Sequence, residues 1–128
     1  MAGVTMSTLS PAPDLQGDPA LLWHARHLDD WCSIALDGEL DIFSAPRLRR
    51  MLHGVARTPG VATIVVDMSR VEFIDARCVG VIEEAWSSAR ERGRELRVVG
   101  LAGLPARVFD IVGLDHLVGG ESPSRREG

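Results

Sequence analysis

The 128-residue chain contains no lysine: all 14 of its basic residues are arginine. Amine nucleophiles, Schiff bases and the phosphate-gripping lysine of nucleotide loops are therefore excluded. Cysteine is almost as scarce. Cys32 and Cys78 are the only two, too few for a zinc site by themselves and not in a C-x-x-C arrangement. The first basic residue is Arg26, and the N-terminal segment has neither the charged nor the apolar region of a secretion signal. The two thiols thus read as reduced cysteines of a cytoplasmic protein. No run of about 18 apolar residues occurs, so no membrane-inserted helix is expected. A net charge of −4 lacks the basic footprint of a protein that grips nucleic acid directly.

What is present suits one globular unit. Hydrophobic residues make up 45% of the chain and charged residues 25%, ordinary proportions for a folded domain. A domain near this size hides roughly two-thirds of its unfolded surface, enough for a core without covalent staples. Residues 1–19 are rich in Ser, Thr, Pro and Asp and read as a flexible leader; residues 119–128 read as a flexible tail. The domain is expected over residues 20–118.

Within it, strand and helix signals alternate. Leu21 to Trp23 opens a short strand, His27 to Asp30 reads as a turn, and Trp31 to Leu36 forms a second strand ending at Asp37-Gly38. Leu48, Met51, Leu52, Val55 and Ala56 share one helical face, with Ser44 as N-cap and Pro46 in the first turn. Ala62 to Asp67 is β-branched and continuously apolar, as in a strand covered on both faces. Cys78, Ile82, Ala85, Trp86 and Ala89 form a second helical face that ends near Gly93. Leu96 to Val99 reads as a strand, Pro105 to Val112 as a short helix and His116 to Val118 as a last strand. The expected order is β-β-α-β-α-β-α-β: an α/β domain with a mixed sheet, an antiparallel opening pair and helices packed on it.

Loops at the carboxyl ends of the strands are where such a sheet carries function. Two stand out, Gly38 to Asp41 and Val71 to Arg77, with Asp41, Asp67 and Asp75 expected on one edge. Clustered acids could bind magnesium in a receiver-like site, but that chemistry needs a lysine this chain does not have. Asp67-Met68-Ser69 does not supply the D-x-D of a haloacid-type nucleophile loop. The plainer reading makes Asp75 a helix cap and has Asp41 and Asp67 close their strands. His24, His27, His53 and His116 are scattered, and neither a G-x-S-x-G elbow nor a phosphate loop is present. Cys78 lies in the first turn of a helix, where the macrodipole and Arg77 would lower a thiol pKa; packing is the competing role. Arg90, Arg92, Arg94 and Arg97 read as a solvated helix end rather than an anion patch, since Glu91 and Glu95 interrupt them. No metal site, cofactor or catalytic residue is expected.

The strand exit Leu36-Asp37-Gly38-Glu39-Leu40-Asp41 and the run from Ile64 to Asp75, Ile-Val-Val-Asp-Met-Ser-Arg-Val-Glu-Phe-Ile-Asp, resemble the STAS domain of bacterial anti-sigma factor antagonists. Gly113-Leu114 after a short helix fits the same pattern, and the resemblance covers about Leu21 to Val118. It implies a non-enzymatic module, monomeric or weakly dimeric, that binds an anti-sigma factor of the ATPase/kinase type and so frees a sigma factor. In the family a serine directly after the final Asp of that run is phosphorylated by the anti-sigma factor, which ends binding. A phosphate adds about −1.5 to −2 charges, and unit charges near 5 Å repel by roughly 3 kcal/mol at an effective dielectric of 20.

This chain departs from the pattern there. Where D-S-[ST]-G-L-G is usual, it has Asp75-Ala76-Arg77-Cys78-Val79-Gly80. Ala76 occupies the phosphoacceptor position and has no hydroxyl, Arg77 adds a cation and Cys78 replaces a glycine. The resemblance therefore implies a degenerate member that binds through Glu39, Asp41, Ser69, Asp75, Ala76, Arg77 and Cys78 without the serine switch. Ser69 is a candidate substitute acceptor on the same edge. The alternative is a rebuilt interface that docks another partner: a scaffold of related domains or the cytoplasmic side of a transporter.

Overall fold

A computed structural model describes residues 4–7 and 21–118. Its one sheet has five strands, β1 (Val4–Ser7), β2 (Leu21–Leu28), β3 (Trp31–Leu40), β4 (Thr63–Ile74) and β5 (Glu95–Val99), lying side by side in chain order. β1, β2 and β3 pair antiparallel; β3, β4 and β5 pair parallel. Helices α1 (Ala45–Ala56), α2 (Ala76–Glu91) and α3 (Gly103–Ile111) follow β3, β4 and β5. This is the mixed α/β sheet with an antiparallel opening pair that the sequence implies.

The apolar periodicities explain where the helices sit. Leu48, Met51, Leu52, Val55 and Ala56 of α1 are all buried, as are Cys78, Ile82, Ala85 and Ala89 of α2; Trp86 is half-buried against the same core. α1 packs beside α2, and α3 lies against β4. Ile64, Val65 and Val66 are buried without alternation, the burial expected of a central parallel strand.

Several boundaries differ from the sequence reading. Val4–Ser7, placed above in a flexible leader, pairs with Ala25 to Leu28 as an added edge strand; the rest of that leader and the tail lie outside the described residues. β2 continues past Trp23 to Leu28, because Leu21, Trp23 and Ala25 point inward while Leu22, His24 and Arg26 alternate with them. The turn shrinks to Asp29-Asp30, with Asp29 in the left-handed region at φ 54°, a conformation Asp tolerates better than most residues. β3 runs on through Gly38 to Leu40, past register shifts on both sides of Asp37-Gly38. Val71 to Ile74 is strand, not loop, hydrogen-bonded to this extension of β3. The expected last strand is instead a 3-10 turn over Asp115–Leu117, joined to the sheet by one bridge between Val98 and Val118.

One buried charge went unanticipated. Arg47, in the first turn of α1, is 8% exposed; its Nη2 donates to the Leu21 carbonyl at 3.1 Å, and its guanidinium lies 5.1 Å from the Trp23 ring centre. A buried guanidinium needs such partners to offset its lost hydration.

Candidate functional site

β3 and β4 run parallel and end together, with Leu40 opposite Ile74. The residues that follow, Asp41 and Asp75, consequently leave the sheet side by side, and the Asp75 N–H donates to the Leu40 carbonyl at 3.0 Å. Asp75 then caps α2: its backbone is extended, and Oδ1 accepts from the Cys78 N–H at 3.0 Å. This satisfies one of the free N–H groups that every helix start leaves open.

The Asp41 carboxylate is committed to its own loop. Oδ1 accepts from the Phe43 N–H at 3.0 Å and the Ser44 N–H at 3.1 Å, while the Asp41 carbonyl accepts from Ser44 and Ala45. Ser44 holds the N-cap position of α1, yet its side chain does not cap. Its Oγ turns back to accept from the Asp41 N–H at 2.9 Å, with the Glu39 carbonyl at 3.2 Å. Fully buried Ser44 thus locks the loop rather than the helix.

Cys78 joins the two loops. Its Sγ donates to the Asp41 carbonyl at 3.2 Å, and the residue is completely buried. Burial, reinforced by the Asp75 and Asp41 carboxylates, pushes its thiol up to about 12. Of the two roles the sequence offered, packing therefore holds: the desolvation of this sulfur outweighs the helix terminus and the exposed Arg77 beside it. Cys32 is also buried, its thiol likewise raised to about 11 by desolvation, and neither cysteine is in a disulfide.

Ala76 and Arg77 are exposed on the first turn of α2, and Glu39 is exposed where β3 ends. Composition and spacing had drawn attention to charge at this edge; they missed its apolar component. Ile42 is 53% exposed, Phe43 71% and Phe73, paired with Glu39, 39%. The signal was two adjacent apolar residues, Ile42-Phe43, inside an otherwise polar loop. Two of the chain's three phenylalanines are thus exposed at this end of the sheet.

Two of the expected residues are elsewhere. Asp67 lies in the middle of β4, opposite Ala35 and Val99. It precedes Ile74 by seven residues, about 23 Å of strand at 3.3 Å each, so the three carboxylates do not share an edge. Ser69 stays with Asp67, whose Oδ1 accepts its N–H at 2.9 Å. It lies about 16 Å before Ile74 on the same spacing and is not part of the Ala76 edge. Among the described residues no group of His, Cys, Asp and Glu could hold a metal ion, and no helix is long and apolar enough to cross a membrane. Three of the four arginines of the run are engaged within the chain. Arg94 donates to the Ala56 and Thr58 carbonyls, Arg90 stacks on Trp86 and Arg97 pairs with Glu95.

Two loops and a capped helix start thus form an accessible ridge whose Asp41 and Asp75 carboxylates are held by backbone N–H groups. The family model of the STAS domain matches residues 23–126, and the chain belongs to the STAS family. The anti-sigma-B factor antagonist of Listeria monocytogenes is 30% identical over 89 residues, spanning 70% of this chain and 77% of that protein. That of Staphylococcus epidermidis is 27% identical over 90 residues, spanning 70% and 82%. The solved structure of an anti-sigma factor antagonist from Mycobacterium paratuberculosis shares the fold with a TM-score of 0.73 at 19% identity, over 84% of this chain and 92% of that one. The chain is a protein-interaction module of the anti-sigma-factor-antagonist type, not an enzyme.

Proposed function

We propose that this domain binds an anti-sigma factor of the ATPase/kinase type through the edge formed by Glu39, Asp41 to Phe43, Phe73 and Asp75 to Cys78, and that it does so without a phosphorylation switch. The observation that carries this reading is Ala76: a methyl group, exposed on the first turn of α2, at the end of the sheet where the Asp41 loop and Asp75 leave it. Cys78 and Asp75 act from beneath, holding the loop and the helix start in fixed relation; Ile42, Phe43 and Phe73 supply apolar area; Arg77 offers a bidentate contact to a carboxylate of the partner. A phosphate at position 76 would add about two negative charges beside Asp41 and Asp75. Alanine keeps the edge permanently in the unphosphorylated form.

The test is incubation of the full chain with its cognate anti-sigma kinase and ATP, followed by intact mass measurement and a binding assay. Stable association with no added mass is the expected result. A phosphate on any residue would overturn the switchless reading, and failure to associate would favour a rebuilt edge for another partner. Ala76→Ser then asks whether the kinase still recognises the loop: phosphorylation with loss of binding would place the switch at this turn.

A further inference from the structure

α2 carries its outward charges against its own dipole. A helix favours acids at its start and bases at its end, yet the first turn of α2 holds no acid and one exposed cation, Arg77, while its last residue is exposed Glu91. Arg90, the base of the last turn, is turned aside onto the Trp86 ring, 4.9 Å from its centre. Between the two ends lies exposed Glu83. Arg77, Glu83 and Glu91 have no ion-pair partner among the described residues; of the α2 acids only Glu84 is answered, by Arg49 and His53 of α1. The same stretch is concave. Gly80, Glu83, Ser87 and Glu91 line, with His53 of α1, an open groove of about 550 Å³. Its floor is low at Gly80, where a Cβ would meet nothing within 4 Å, although alanine would suit the helix better. At 3.6 residues per turn, Ala76, Gly80, Glu83, Ser87 and Glu91 follow one face. The groove therefore opens one turn below Ala76 and continues the proposed edge. Charges set against local preference and left unpaired mark a surface shaped by contact.

We propose, on the same reading of the domain as the binder of an anti-sigma factor, that the partner lays a segment along this α2 groove, with a carboxylate opposite Arg77 and Arg or Lys side chains opposite Glu83 and Glu91. Charge selects that occupant. Arg77 and Glu91 stand about 21 Å apart along the axis at 1.5 Å per residue. That is more than twice the screening length of about 8 Å at physiological salt, so each end presents its own field. A partner surface of one sign is repelled at one end of the lane, and a surface of reversed order is repelled at both. Only the matching order is attracted throughout, and the lane thereby selects among partners as well as holding one. Residues 1–25 contain no Lys or Arg and cannot supply the cations. Arg125 and Arg126 are the competing occupant from within the chain.

Calorimetric titration of the full chain with its cognate anti-sigma kinase tests this. Arg77→Glu and the double variant Glu83→Gln/Glu91→Gln should each weaken binding at least about tenfold. The loss should shrink as salt approaches about 1 M, where the screening length falls to about 3 Å. Denaturant midpoints should not follow: Arg77→Gln and Glu91→Gln should leave stability unchanged or raise it, because each removes a charge that opposes the dipole. Unchanged affinity in the α2 variants, with Phe43→Ala still weakening binding, would overturn the groove and leave the Ala76 edge standing. No association of the parent chain would overturn both. Arg125→Gln/Arg126→Gln should alter neither stability nor affinity. A matching loss of stability in that variant and in Glu91→Gln would assign the groove to the chain's own arginines and overturn the partner as its occupant.

Discussion

The Cys78 thiol donates to the carbonyl of Asp41, 37 residues earlier in the chain, at 3.2 Å. This bond fastens the α2 start to the loop that leaves β3, the two halves of the proposed binding edge. A sulfhydryl bond is individually weak, but this one is made in a fully buried position where water cannot compete.

That burial has a consequence for alkaline stability. An unfolded thiol ionises near 9.0, whereas folding raises Cys32 to about 11 and Cys78 to about 12. The unfolded chain therefore loses these protons first. The stabilisation is complete below pH 9 and is lost as pH climbs toward 11 and 12. The window is unusually clean because the chain contains neither lysine nor tyrosine. Urea titrations at pH 8, 9, 10 and 11 should show a falling midpoint that is largely flattened in the Cys32→Ala/Cys78→Ala double variant.

Removing the α2 cap should cost stability and function together. Asp75→Ala should lower unfolding free energy by about 1 kcal/mol, within the 0.5–2 kcal/mol span of cap deletions. Hydrogen exchange should show faster exchange at the Cys78 amide, and partner affinity should fall. Asp75→Asn, which retains the accepting oxygen, should recover most of the stability.

Phe43 should separate binding from folding. At 71% exposure it contributes little to the core, and Phe43→Ala should leave stability within about 0.5 kcal/mol. Loss of an exposed aromatic anchor should weaken partner binding by about 1–2 kcal/mol, measured calorimetrically. Equal affinity in the variant would remove the apolar edge from the proposed interface.

Gly100 is held to its identity by both conformation and space. Its φ is +78°, and a Cβ there would stand 2.7 Å from Asp67 Oδ1 and 2.9 Å from the Ser69 nitrogen. Gly100→Ala should destabilise by about 1–3 kcal/mol, read from the denaturant midpoint. Gly80→Ala is the contrast: nothing lies within 4 Å of its Cβ position, and the change should be neutral or slightly stabilising within its helix.

The helices were legible because their stripes are long. Every member of the set from Leu48 to Ala56 is buried, and the strongly β-branched Ile64 to Val66 could only be interior. Strand ends were harder to read. Glu72 and Phe73 are both exposed, so the last part of β4 resembles a loop in composition, and only its pairing with β3 makes it strand. Register carried the rest. Nothing in the sequence says that Asp67 faces Ala35 while Asp75 follows the Leu40–Ile74 pair, and this difference removes Asp67 and Ser69 from the edge. For Cys78, the helix start and the apolar stripe were readable, but the loop that closes over its sulfur was not.

The strands stand in space in the same order in which they occur along the chain. Each pairing joins consecutive strands, so no strand must wait for a distant later segment before it can add. Assembly can therefore begin at the β2–β3 hairpin and grow outward, β4 and β5 each adding after one helical crossover. It also means that each new strand, as it emerges from the ribosome, already has its neighbour in place.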